Sequence, residues 1–93
     1  MTKVILQGHI VVSDSDLSAV QSELQVHIES TQNEEGCLLF KVTQDPENKN
    51  IFSVYEEFVD QLAFEAHQQR VKNSRWEKVT MGVERHYRIS ERT

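Results

Sequence analysis

The segment Cys37–Phe58 constrains the fold of this chain more than any other. Apolar and polar residues alternate along Cys37–Gln44, which is the period of a β-strand with one buried face, and Ile51–Phe58 forms the next strand-like run. Residues 45–50 between these runs are polar and contain the only proline of the chain. Two adjacent strands joined by a short polar loop form a hairpin, so the sequence predicts an antiparallel sheet.

The residues before this hairpin predict one strand followed by one helix. Residues 3–13 fit a strand whose two faces are both partly apolar. Asp14, Ser15 and Asp16 then supply side-chain oxygens for a helix N-cap. The helix is predicted to continue towards Gly36, because apolar residues recur at helical spacing at Leu17, Val20, Leu24 and Ile28.

The residues after the hairpin predict two short helical segments and a last strand. Asp60 can cap a helix that runs to about Gln68, and a second helical segment covers residues 71–80 and stops at Gly82. Apolar side chains mark the second segment at Val71, Trp76 and Val79. Residues 83–90 alternate again, which predicts a strand.

These elements predict an α+β fold with a split βαβ arrangement, in one domain that spans residues 1–93. The order strand, helix, strand, strand, helix, strand places both helices on one face of a four-stranded antiparallel sheet. A chain of 93 residues suffices for one hydrophobic core of modest size. We therefore expect a single βαββαβ unit.

The sheet face that the helices leave open is also predicted to be apolar. It carries Ile5, Val11 and Leu39 or their alternates, together with Tyr55 or Phe52 depending on the strand register. The predicted elements leave no segment to cover this face. We therefore expect a homodimer in which two copies pack sheet to sheet through a symmetric interface.

The net charge, the apolar runs and the cysteine content indicate which partners and which cellular compartment to expect. A net charge of −5 argues against a nucleic-acid partner, because such affinity depends on clustered cations. No apolar run approaches the roughly 20 residues that a membrane helix needs, and the first residues lack a signal-peptide pattern. The single cysteine, Cys37, can form no internal disulfide. We expect a cytoplasmic protein that binds neither membranes nor nucleic acid.

Four short motifs in fixed order carry a resemblance to a known family. They are a strand that begins at Gly36-Cys37, a turn at Asp45-Pro46, a strand that ends in a glutamate before an aromatic residue at Glu57-Phe58, and a helix that carries Ala66-His67. In this order and spacing the chain resembles the antibiotic biosynthesis monooxygenase (ABM) domain family. The resemblance implies a dimeric α+β barrel of ferredoxin-like protomers, with a small-molecule pocket between sheet and helices in each protomer.

The resemblance leaves the activity open among several chemistries. Some members of the family are cofactor-independent monooxygenases of aromatic polyketides or quinols, some degrade haem, and one group isomerises a phosphorylated sugar. The haem-degrading members use an asparagine, a tryptophan and a ligating histidine, but His67 occupies the tryptophan position here and Glu77 falls near the ligand position. We therefore expect no haem and no other cofactor, and a small aromatic or quinol-type compound as substrate.

Oxygenation without a cofactor needs a base, a donor that holds the resulting oxyanion, and an apolar cavity that excludes water. His67 fits the first role, because an imidazole titrates near neutral pH. Glu56 can orient that imidazole, or act as the base itself if burial raises its pKa. Both residues also have structural interpretations, as a core histidine bonded to a carbonyl and as a surface strand residue with an ionic partner.

Further residues are predicted to contact the substrate. Phe40, Leu62 and Trp76 are candidate cavity walls, and His9 on the first strand is a second polar contact. We expect no metal ion, because no HxH, HExxH or CxxC spacing is present.

Two alternative functions remain open at this point. A dimeric small-molecule-binding or stress-response protein can keep the pocket without chemistry. An isomerase of a small phosphorylated metabolite needs cations in the pocket, for which Arg70 or Lys72 are the candidates.

Overall fold

The computed structural model describes residues 2–92, which form four strands and three helices. In chain order they are β1 (Lys3–Val11), α1 (Asp14–Gln32), β2 (Cys37–Gln44), β3 (Ile51–Phe58), α2 (Gln61–Lys72), α3 (Arg75–Val79) and β4 (Glu84–Arg92). The strands form one antiparallel sheet in the order β2-β3-β1-β4. This confirms the predicted ferredoxin-like α+β fold, and none of the described helices is long and apolar enough to cross a membrane.

The hairpin strands β2 and β3 are confirmed residue for residue, whereas the start of the first helix was predicted wrongly. Strand β1 ends at Val11, and Ser13 is the N-cap of α1 in place of Asp14, Ser15 or Asp16. Ser13 has an extended backbone, and its hydroxyl contacts the Ser15 hydroxyl and the Asp16 carboxylate. The acidic residues therefore lie in the first turn, where their negative charge interacts favourably with the positive end of the helix dipole.

The second helical region is divided differently from the prediction. Asp60 is confirmed as an N-cap, since its Oδ1 accepts a hydrogen bond from the Ala63 amide at 2.8 Å. Helix α2 continues past Gln68 to Lys72, and α3 is shorter than predicted because Ser74 starts a new helix by accepting from the Glu77 amide. Strand β4 extends beyond residue 90 because all nine of its residues pair with β1.

Strand register decides which residues face the helices. Leu6 lies opposite Glu56 on β3 and opposite Ile89 on β4, so these three side chains share the helix-covered face. Phe52 is fully buried on that face, and Tyr55 therefore lies on the open face. Two apolar clusters fill the space between sheet and helices, one built from Val4, Leu6, Val54, Phe58 and Phe64, the other from Ile10, Val12, Val20, Phe52 and Val83.

Gly36 sets the path of the chain between α1 and β2. Its φ of +89° is in the region that favours glycine. A Cβ at this position would lie 2.6 Å from Cβ of Ala63 on α2, which is too close for any side chain. The missing side chain thus lets the end of α1 approach α2, and this approach brings Glu34 next to His67.

Candidate active site

A cavity of about 330 Å³ lies between the helix-covered face of the sheet and the helices. Residues from all three helices and from strands β1, β3 and β4 line it: Leu6, His27, Glu56, His67, Gln68, Val71, Lys72, Trp76, Glu77, Arg85 and Tyr87. A wider depression of about 710 Å³ runs over Gly8 and its neighbours, but it is open and lined by none of the buried titratable side chains. The chemistry of the smaller cavity is therefore the more informative.

His67 is held at the wall of this cavity by contacts to both of its ring nitrogens. Its side chain is only 3% exposed. Nδ1 lies 2.7 Å from Oε1 of Glu34, and Nε2 lies 3.7 Å from Oε1 of Glu56. The first contact is a hydrogen bond and the second is too long to be one. The rings of Phe58 and Phe40 pack around the imidazole at centroid distances of 4.9 Å and 5.9 Å.

Glu34 is itself fixed by a cation. Arg70 donates from Nη2 to Oε1 of Glu34 at 3.0 Å and to the hydroxyl of Thr31 at 3.0 Å. Thr31 is fully buried and donates its hydroxyl proton to the backbone carbonyl of His27. The side chains of Thr31, Arg70, Glu34 and His67 therefore form one connected polar chain that joins α1 to α2.

Burial shifts the pKa values of Glu56 and His67, which face each other across 3.7 Å. Glu56 is 7% exposed, and burial, reinforced by the nearby Glu34, raises its pKa to about 8. Burial also lowers the pKa of His67, although the hydrogen bond to Glu34 acts in the opposite direction. At neutral pH Glu56 thus carries a proton and His67 does not. This arrangement pairs a proton acceptor with a proton donor at one wall of the cavity.

Two residues of the site were missed by the sequence analysis. His27 is buried and stacks on Trp76 with a centroid distance of 4.5 Å and an interplanar angle of 4°. Burial, and then the charge of His67, lower the pKa of His27 to about 3, so it stays neutral. Its helical spacing with Leu24 and Thr31 along α1 indicates that His27 lies on the buried face of the helix. Glu34 had no such signal, because it contacts His67 across 33 positions of sequence.

The structure brings four of the candidate residues to the cavity. His67, Glu56 and Trp76 line it together with Lys72, one of the two cations proposed for the isomerase. Phe40 is buried behind them and contacts the rings of His27 and His67, so it supports the imidazoles.

The other predicted site residues lie elsewhere. Leu62 is 76% exposed on α2 and does not line the cavity. His9 lies on the open face of the sheet, where its ring stacks on His86 at 4.6 Å. Arg70 points to Glu34 and Thr31 and not into the cavity. Across residues 2–92 no set of three or more histidine, cysteine or acidic side chains is placed to hold a metal ion.

Comparison with protein-family models tests the family membership that the motifs indicated. Residues 4–78 match the family model described as antibiotic biosynthesis monooxygenase. The chain belongs to this family. The match covers every element that lines the cavity except β4, and it confirms the resemblance seen in the sequence. A comparison with curated proteins finds no significant match.

Solved structures similar to this member of the family share its fold over nearly the full chain. A crystal structure from Pseudomonas aeruginosa has a TM-score of 0.79 and 23% identity, and covers 98% of this chain and 92% of its own. A Nitrosomonas europaea protein that is named for the same family has a TM-score of 0.77 and 15% identity, with 97% and 86% covered. A conserved protein from Methanosarcina mazei has a TM-score of 0.70 and 19% identity, with 98% and 90% covered. Identities this low establish the fold alone.

Proposed function

We propose that the protein is a cofactor-independent monooxygenase that acts on a small aromatic or quinol-type compound bound between the sheet and the helices. The observation that carries this proposal is the pair formed by Nε2 of His67 and Oε1 of Glu56, 3.7 Å apart and buried at the cavity wall. A substrate oxygen placed between them can give a proton to the imidazole and accept a hydrogen bond from the protonated carboxyl. Membership of the family supports the same reaction class.

The reaction needs no electron source other than the substrate. Removal of a proton from a phenol or from an acidic methylene gives a stabilised anion, which transfers an electron to dioxygen. The two radicals combine to form a carbon–oxygen bond and a peroxide at the ring carbon. Loss of water from the peroxide breaks the oxygen–oxygen bond and leaves a carbonyl, so one oxygen atom enters the product and the other leaves as water.

The apolar part of the cavity wall suits a flat ring. Trp76 and Tyr87 supply aromatic surface, and Leu6 and Val71 supply aliphatic surface. A volume of about 330 Å³ is at the lower end of the range for small-molecule sites, which favours a compact ligand. Exclusion of water from such a site strengthens the interactions that stabilise the substrate anion.

The geometry does not favour the isomerase of a phosphorylated metabolite. Arg70, the predicted phosphate contact, is engaged by Glu34 and Thr31. Lys72 and Arg85 do line the cavity, but Arg85 donates to the Thr80 carbonyl at 2.9 Å and Glu56 and Glu77 share the same walls. A phosphate group would therefore meet acidic residues as well as cations.

Oxygen uptake with a naphthohydroquinone or an anthrone-type compound tests the proposal. The wild-type protein should consume dioxygen faster than the protein-free solution and incorporate one labelled oxygen atom into the product. His67→Ala should lower the rate by about 100- to 10,000-fold, the usual contribution of a general base. His86→Ala, on the open face, is the matched control and should retain the wild-type rate.

Full activity of His67→Ala would refute the assignment of this histidine. Tight binding of the aromatic compound without incorporation of labelled oxygen would instead identify a non-catalytic binding protein, the function class that the sequence left open. Bound ligand that contacts Lys72 through a phosphate would favour the isomerase.

We also propose that two copies associate through the open face of the sheet. Five large, mainly apolar side chains share this face: Ile5, which is already buried in the single chain, and the more exposed Val11, Leu39, Ile51 and Tyr55. The exposed fraction of Leu39 is 41%, so part of this surface is free to contact a second copy.

A further inference from the structure

We propose that Glu34 is a positioning residue that keeps the single proton of the His67 imidazole on Nδ1 and so leaves Nε2 as the proton acceptor that faces Glu56. The catalytic consequence of this inference rests on the proposed function. The position of the proton does not, because it is a property of the ligand-free protein. With the proton on Nδ1, His67 is the base and Glu56 the acid.

The contact between Glu34 and His67 has the length of a charge-assisted hydrogen bond. Nδ1 and Oε1 are 2.7 Å apart. The same oxygen accepts from the guanidinium of Arg70 at 3.0 Å, and an arginine keeps its charge at every physiological pH. An oxygen that already accepts from a cation acts as an acceptor towards the imidazole too, so Nδ1 must be the donor. A neutral imidazole has one N–H, so Nε2 then carries only a lone pair.

The surroundings prevent the ring from turning to another arrangement. His67 is 3% exposed and packs against Phe58 and Phe40. Glu34 is held in turn by Arg70, which joins it to the buried hydroxyl of Thr31. The proton on Nδ1 is therefore set by a rigid connection between α1 and α2.

The free lone pair on Nε2 points to a specific division of roles. Nε2 is 3.7 Å from Oε1 of Glu56, and this oxygen has no hydrogen-bond partner among the described residues. A substrate hydroxyl that reaches this gap can donate to Nε2 while Glu56, whose pKa burial raises to about 8, donates to the same oxygen. His67 is then the base and Glu56 the acid that stabilises the anion.

Heteronuclear NMR of the imidazole nitrogens in the ligand-free wild-type protein tests the inference directly. His67 should show a protonated Nδ1 and an unprotonated Nε2 at neutral pH. A proton found on Nε2 would overturn the inference. This measurement needs no variant and no substrate, so it is independent of whether the protein proves to be an oxygenase.

Substitution of Glu34 tests whether this residue holds the His67 proton on Nδ1. Glu34→Ala removes the acceptor, and the proton should then redistribute between Nδ1 and Nε2, with kcat lowered about 100-fold and KM nearly unchanged. Glu34→Gln keeps an acceptor but removes the charge, so the proton should stay on Nδ1. Glu35→Gln is the matched control, because Glu35 is exposed and adjacent in sequence, and it should leave the NMR signals and kcat as in the wild type.

The pH dependence of Glu34→Gln separates positioning from a purely structural role. The charge of Glu34 raises the pKa of both His67 and Glu56. Its removal lowers both, so both limbs of the rate profile should move to lower pH. An unchanged proton position in Glu34→Ala, or an unchanged profile in Glu34→Gln, would overturn the inference.

Discussion

Glu56 and Glu57 are neighbours on strand β3, yet they lie on opposite faces of the sheet and behave in opposite ways. Glu56 faces the helices, is buried, and has a pKa raised to about 8. Glu57 lies on the open face, where hydrogen bonds from the Tyr55 hydroxyl at 2.8 Å and from Lys3 at 3.2 Å lower its pKa. One position of register therefore separates a carboxyl that stays protonated at neutral pH from one that is ionised.

Access to water and to hydrogen-bond donors, more than residue type, decides whether each of these two carboxyl groups is ionised. On the open face a carboxylate finds donors and solvent, so ionisation is favourable. On the helix-covered face Glu56 meets His67, which offers a lone pair at 3.7 Å, and a second acidic group in Glu34. The same side chain becomes an acid only on that face.

The difference between the two faces is expected to be largest in packing. Phe52→Ala removes a fully buried ring from the helix-covered face and should lower the free energy of unfolding by about 3–5 kcal/mol. Ile51→Ala changes the adjacent, half-buried residue on the open face and should cost about 1 kcal/mol. Urea denaturation of the two variants measures both values, and equal losses would contradict the assignment of faces.

The next largest effect concerns the pH dependence of stability. Unfolded glutamate ionises near pH 4.5, but folded Glu56 keeps its proton up to about pH 8. Between these values the folded protein binds one more proton, so stability falls as pH rises. Burial lowers the pKa values of His27 and His67, so these residues make stability rise with pH, but only below pH 6.5. From about pH 6.5 to 8 the loss should be about 2 kcal/mol in the wild type and absent in Glu56→Gln.

Glu57→Gln is the control for this measurement. The pKa of Glu57 is lowered, so the stability it contributes is present above its unfolded pKa and is lost only as pH falls through the folded value. The window from pH 6.5 to 8 lies above both values. Urea denaturation of Glu57→Gln should therefore show the wild-type slope, and loss of that slope would contradict the comparison.

The smallest expected effect is on association of the open faces. Leu39→Lys places a charge on this face and should weaken the proposed dimer by about tenfold, or roughly 1.4 kcal/mol. Leu62→Lys makes the same change at an exposed residue on α2 and should have no effect. Light scattering over a concentration series measures both, and a wild-type protein that is monomeric at micromolar concentration would refute the dimer.

The fold was largely predictable because local signals agreed with each other. The two strand-like runs on either side of the polar loop located β2 and β3 residue for residue, and Asp60 marked the start of α2 through its side-chain cap. Boundaries without such a signal were placed wrongly: Ser13 caps α1 through its extended backbone without a capping hydrogen bond from its side chain, and the break at Ser74 was not recognised.

The candidate site was predictable in part. Of the residues predicted to form the site, His67, Glu56 and Trp76 line the cavity, whereas Leu62 and His9 do not. Leu62 and His67 both lie on α2, but only the packing against the sheet decides which of them is buried.

The sequence by itself determined the order of elements, the family, and the presence of a histidine and a glutamate near one pocket, since periodicity and motifs are local properties. Only the tertiary structure decided that Glu34 is the partner of His67 and that Glu56 keeps its proton. The physical reason is that a pKa and a hydrogen bond depend on which distant groups meet and on how much water remains between them. Register and the close approach at Gly36 set both.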